Sequence, residues 1–207
     1  MKKVLPLLLL ALVMCQCNFQ SSQKQQNNQD QYPEKFTSDY IGERTLTLAD
    51  KICQCDPYNV YAFNNVFTKG YGDLLKEALA LPEGIDGDGP SSGLWIEFAG
   101  ELCTLLAVTD VNVDGNTAKV IVDSEYYDKD QVSLEFVDGE WLIDDLGNCS
   151  RQWLKNMIKE SRNYYKNIDW LELIHVLEER GYSKEDAVAA SDGLREEIET
   201  YFENYPE

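Results

Sequence analysis

Basic residues are scarce in this chain. Across 207 residues, 18 Lys and Arg stand against 37 Asp and Glu, a formal net charge of −19. Such a surface repels phosphate backbones and anionic headgroups, which argues against a nucleic-acid partner and leaves basic proteins, peptides and cations as tolerable ones. Histidine is scarcer still, with His175 the single example. A Ser/His/Asp or Cys/His site would have to use it, and no companion motif surrounds it, so it reads as a surface or half-buried residue of a tail helix. There is no repeat of fixed period and no C-x-x-C. Cys53-Gln54-Cys55 is too tightly spaced for a redox pair and has no histidine nearby for zinc. No cofactor and no metal is expected. Long apolar runs are also missing, save one at the start.

That run, Val4 to Val13, follows Lys2 and Lys3 and leads into Cys15-Gln16-Cys17. It has about half the length a bilayer-spanning helix needs. A charged start, a short apolar centre and a terminal cysteine resemble a bacterial lipoprotein signal, in which cleavage leaves a cysteine that carries lipid. Cysteine parity bears on which one. Lipidation of Cys17 removes Cys15 with the leader and leaves four cysteines, Cys53, Cys55, Cys103 and Cys149, an even set suited to an oxidising compartment. Lipidation of Cys15 leaves five. Cys17 is therefore preferred, with Cys15 the alternative. Losing Lys2 and Lys3 takes the net charge from −19 to −21. The resemblance implies a membrane partner through the lipid, and a place in the cell envelope, at the outer membrane, facing the periplasm or the outside. The four remaining cysteines are expected to form two disulfides, joining Cys53 and Cys55 to Cys103 and Cys149 in either order, each worth roughly 2–4 kcal/mol. Buried thiols are the alternative.

Asn18 to Gln31 is rich in Gln, Asn and Ser, cannot build a core, and reads as a tether. With 43% hydrophobic residues the rest can bury one sizeable core. Leu46, Leu48, Ala49 and Ile52 fit a short first helix, although Leu-Thr-Leu also alternates like a strand. Asp56-Pro57 is a helix-start pair, and Val60, Phe63, Phe67, Tyr71, Leu74, Leu75 and Ala78 recur at helical spacing after it, with Gly70 and Gly72 as places to bend or split. Beyond a glycine-rich loop, Trp95, Phe98 and Leu102 also fit a helix, although Leu94 to Phe98 fit a buried strand equally. Val111 and Val113, then Asp114-Gly115-Asn116, then Ala118, Val120 and Val122 predict a hairpin. Val132, Leu134 and Phe136, then Asp138-Gly139, then Trp141 to Leu146 predict another, giving a four-stranded meander with one face covered by helices. Three tail helices follow, opened by Ser150, Asp169 and Ser183, the second ended by Gly181.

Helices first, a strand-rich second half, and the run Asp138-Gly139-Glu140-Trp141-Leu142-Ile143-Asp144-Asp145 resemble the cone-shaped α+β superfamily of nuclear transport factor 2, scytalone dehydratase and ketosteroid isomerase. Within it the chain is similar to a bacterial envelope family of unestablished function. The similarity covers roughly Asp56 to Leu146 and implies helices packed on a curved antiparallel sheet around a pocket. The organisation expected is a signal peptide at 1–16, a flexible tether at 17–38, a cone-like α+β domain at 39–160 and a C-terminal helical extension at 161–207.

Asp110, Asn112, Asp114 and Gly115 match the opening of a calcium loop, but Ile121 stands where the bidentate Glu belongs, and the hairpin reading is preferred. Asp86, Asp88 and Glu97 match another in part, with Pro90 and Ser91 out of place, and read as a plain loop. Asp145, in phase with Trp141 and Ile143, is a candidate for an inward carboxylate, with a strand-end cap or a solvated rim residue as the competing readings. Trp141, Trp95, Phe98, Tyr61 and Phe67 are candidate pocket wall or core. No catalytic residue can be assigned. The preferred function is a lipid-anchored module binding an unknown protein or small molecule. The alternative is a pocket enzyme of the isomerase or dehydratase type, using an inward carboxylate such as Asp145 with a tyrosine.

Overall fold

A computed structural model of the chain describes residues 28, 30–54, 65–85, 105–124, 130–147 and 149–206. The leader, Cys15, Cys17, Cys55, Tyr61, Trp95, Phe98, Cys103, the Asp56-Pro57 helix start and the Asp86–Glu97 loop lie outside these residues. The described part is α+β. A 3-10 turn at Pro33–Phe36 precedes α1 (Ser38–Cys53) and α2 (Lys69–Leu79). Four strands follow, β1 (Leu105–Asp114), β2 (Thr117–Ser124), β3 (Asp130–Val137) and β4 (Glu140–Leu146), and then α3 (Arg151–Lys166), α4 (Trp170–Glu179) and α5 (Lys184–Asn204).

The strands pair in chain order as one open antiparallel sheet, as their alternation requires. The β1–β2 turn puts Gly115 first, at φ 57°, and the β3–β4 turn has both central residues at positive φ, Asp138 at 52° and Gly139 at 88°. These are the turns whose twist matches that of paired strands. Val132, Leu134 and Phe136 of β3 and Trp141, Ile143 and Leu146 of β4 are buried. Helices α1 and α2 cover that face, α1 touching β1, β2 and β4, and α2 touching β4 and α3. Ile41, Leu48 and Ile52 of α1 meet Tyr71 and Leu75 of α2 in one core with the strand residues.

Two expectations about the first half need revision. The first helix is longer than Leu46 to Ile52, because Thr37 accepts from the Tyr40 amide and starts it at Ser38, and Ile41 opens its buried stripe. The apolar spacing from Val60 to Ala78 does not describe one helix either. Val66 to Thr68 run extended beside β4, with the Thr68 amide donating to the Ile143 carbonyl at 2.8 Å and the Ile143 amide to the Val66 carbonyl at 2.9 Å. The chain breaks at Thr68, whose side chain caps α2, and not at Gly70 or Gly72, which lie inside α2. This single bridge, Phe67 beside Ile143 in parallel sense, covers one point of the β4 edge.

The packed region also starts before the expected end of the tether at residue 38. Tyr32 and Phe36 pack at a tilt against Phe136, and Phe36 meets Trp141 edge-on. Lys35 donates to the Gly139 carbonyl and the Glu140 carboxylate, both at 2.8 Å. Aromatic residues in a polar stretch explain this, since they bring apolar area that the Gln-rich part lacks.

The tail helices start where expected, at Ser150, Asp169 and Ser183. Helix α4 ends in a Schellman pattern, with the Tyr182 amide reaching the Leu177 carbonyl and the Gly181 amide the Glu178 carbonyl, around Gly181 at φ 101°. Helix α3 runs through the expected boundary at 160, and Leu194, Ile198 and Tyr201 of α5 join the main core. Among the described residues no helix is long and apolar enough to cross a membrane.

Candidate functional site

Strand β4 delivers Trp141 and Asp145 to different places. Trp141 is fully buried, and its indole N–H donates to the Lys35 carbonyl at 2.7 Å. Phe67 is buried against Tyr71. Both are core wall. Asp145 does not point into the sheet's interior. The pairing shifts between Ser133–Asp145 and Leu134–Ile143, so Asp144 is an extra residue that reverses the phase, and Leu146 is buried instead. The Asp145 carboxylate accepts from the Leu146 amide at 3.0 Å and the Arg151 amide at 2.8 Å. It holds the turn into α3, and Ser150 accepts from Trp153 there as well. Asp144, displaced by the bulge, pairs with Arg151, and the Thr68 hydroxyl donates to it at 2.6 Å.

Asp110, Asn112 and Asp114 are exposed on one side of β1, as the hairpin reading requires. Among the described residues no group of three or more His, Cys, Asp or Glu is arranged to hold a metal. His175 is on the exposed side of α4, 3.6 Å from Glu179. Cys149 corrects the disulfide expectation, because it is a buried thiol. Its carbonyl accepts from the Tyr71 hydroxyl at 2.6 Å, which holds the β4–α3 turn deep under α2. Cys53 sits at the exposed end of α1, and its expected partner Cys103 lies outside the described residues.

The pairing of a carboxylate with a tyrosine does occur, between residues the sequence did not single out. Glu77 of α2 accepts from Arg162 of α3 at 2.7 and 3.1 Å and from the Tyr201 hydroxyl of α5 at 3.1 Å. Arg162 also donates to the Tyr205 carbonyl at 2.7 Å and lies over the Tyr201 and Phe202 rings. Burial pushes the Tyr201 phenol up to about 12, so it stays a neutral donor. With its donors already used on each other, this network fastens three helices and leaves little reach for a substrate.

Several concave features of the described structure lie in the helical layer. One groove of about 650 Å³ runs between the Pro82–Ile85 segment, the end of α3 and α4. Ile85, Tyr165, Leu173, Val176, Leu177 and Leu194 give it apolar walls, with Glu83, Glu160 and Arg180 beside them. The Tyr165 hydroxyl donates to the Pro82 carbonyl at 3.0 Å, and burial pushes this phenol too up to about 12. Tyr164 stands at the lip, 60% exposed. A second depression of about 580 Å³ shares Pro82 and Glu83 and continues along α5 past Glu196 and Glu197. The volumes are those of binding sites. The signal for this site was in the sequence: α4 reads Trp170-Leu-Glu-Leu-Ile-His-Val-Leu177, and Leu177 alone of its apolar residues is buried. No family model, curated protein or solved structure matches the chain.

Proposed function

We propose that this chain is a lipid-anchored interaction module of the bacterial envelope, tethered through Cys17 and binding its partner with the helical layer. The observation that carries the reading is α4. Six of its ten residues are apolar: Leu177 is buried, four are half-buried, and Leu171 stands 81% exposed. A helix so apolar costs solubility unless another surface covers it. The leader and the Gln-rich stretch support the anchor and tether. The order of helices and a four-stranded meander supports the likeness to the nuclear transport factor 2 superfamily and its cone-like arrangement. The alternative pocket enzyme is less well supported. Leu48, Ile52, Tyr71, Leu75 and Trp141 fill the sheet's covered face, and Asp145 is occupied in a turn.

Two measurements test the reading. Labelling cells with a clickable fatty acid is expected to mark the protein, with Cys17→Ser losing the label and membrane association while Cys15→Ser keeps both. An unlabelled native protein would remove the anchor. A photo-crosslinker at position 164 is expected to capture a partner in cells, and one at position 138, on the β3–β4 turn, is not. Capture from 138 alone would place binding on the sheet end instead.

A further inference from the structure

We infer that the groove between α3, α4 and the Pro82–Ile85 segment takes a cationic amphipathic helix. This rests on the interaction-module reading and adds the chemistry of the partner. Charge decides among occupants. Along the lining of the two adjoining depressions, Glu160, Glu196 and Glu197 outnumber the one guanidinium among the described residues, Arg180, while Lys155, Lys159 and Lys166 line the depression on the other side of Glu160. A second copy of this chain would bring the same carboxylates to the contact, and like charges placed together disfavour it. A bilayer with anionic headgroups is repelled for the same reason. A basic segment gains from the carboxylates on both sides.

Shape decides that the segment is helical. The groove walls are side chains of α3, α4 and α5 and the irregular Pro82–Ile85 segment, and none of these is a strand edge. An extended partner would have no ladder to join, so its backbone must satisfy itself, as a helix does. Leucine-like side chains at every third and fourth position would enter among Ile85, Leu173, Val176 and Leu194. The Tyr164 ring at the lip supplies an aromatic anchor at little entropic cost. Lys or Arg on the flanks would reach Glu160 on one side and Glu197 on the other.

The probe is a fluorescein-labelled Leu/Lys peptide with Leu at the helical i, i+3, i+4, i+7 positions, titrated by anisotropy with the purified full chain. A Leu/Glu peptide of the same pattern is the control. Saturable binding of the Leu/Lys peptide, at least about tenfold tighter than the control, is expected. Salt near 1 M, where screening acts over about 3 Å, should weaken it markedly. Tyr164→Ser, which removes the aromatic anchor without adding charge, and the double variant Glu160→Lys/Glu197→Lys should each weaken it about tenfold or more. These side chains are exposed, so the fold is not at stake, and circular dichroism checks it. Equal binding of both peptides, no binding of either, or affinity unchanged in the double variant would each overturn the inference. Crosslinking from position 164 in cells alongside failed peptide binding would leave the interaction module standing and remove only the cationic class. Self-association of the full chain in sedimentation, abolished by Tyr164→Ser, would also overturn it, in favour of a second copy.

Discussion

Tyr165 and Tyr201 show how much one buried hydroxyl commits. Both are nearly inaccessible, both donate, and both stand near 12 against an ordinary 10.0 because burial disfavours the phenolate. An acid with a raised folded-state value keeps its proton longer in the folded chain than in the unfolded one. Its contribution is complete below about pH 10 and is lost as the pH rises towards 12. Urea midpoints are therefore expected to be level between roughly pH 7 and 9 and to fall steeply above 10, by at most about 3 kcal/mol per phenol. Tyr165→Phe should flatten part of the fall, and an unchanged slope would count against the assignment. Asp145 makes a second point at this scale. Asp145→Ala strips two amides of their acceptor and should cost about 1–2 kcal/mol in thermal unfolding. Asp145→Asn, which keeps an acceptor oxygen, should cost less, and neither should alter peptide binding at the groove. A binding loss in Asp145→Asn without a stability loss would return this residue to the site.

At the scale of elements, the strands were legible because what makes them is local. Val132, Leu134 and Phe136 alternate, Asp138-Gly139 turns, and Trp141 and Ile143 return. Gly139 sits at φ 88°, and a Cβ there would meet nothing closer than 3.7 Å, so the cost of Gly139→Ala is backbone strain alone, about 1–2 kcal/mol. Denaturant unfolding should show that loss with an unchanged m-value. Helix caps were legible on the same grounds, as Ser150, Asp169 and Ser183 show. Two features were not. The bulge at Asp144 leaves no mark in a period-two pattern read from Trp141, and it turned an inward carboxylate into a turn acceptor. Val66 to Thr68 keep helical spacing with Tyr71 and Leu75, yet they extend because β4 offers amides and carbonyls that no local pattern announces.

Across the whole molecule, the helical tail is part of the domain rather than an attachment to it. Arg162 ties α3 to Glu77 and Tyr201, and Leu194, Ile198 and Tyr201 of α5 pack into the same core as Trp141 and Tyr71. Unfolding followed by tryptophan fluorescence and by far-ultraviolet circular dichroism should therefore coincide in one transition. Ending the chain before Ser183 uncovers Ile158, Tyr165 and the Glu77–Arg162 pair, and should cost at least about 3 kcal/mol. Two separated transitions in the full chain would show the tail to be an independent unit. The groove depends on this same assembly, since its walls come from four segments that meet only when α4 and α5 fold back on α3. From the sequence alone came the α+β class, both hairpins with their turns, the tail-helix caps and the surplus of acid, because each follows from neighbouring residues or from composition. Only the tertiary structure decided that Asp145 caps a turn, that Cys149 is a buried thiol, that Glu77 meets Arg162 and Tyr201, and that an acidic, apolar-walled groove lies on the helical layer. Those facts depend on which distant segments touch, and the free energy that selects them is spread over the whole buried core rather than written at any one position.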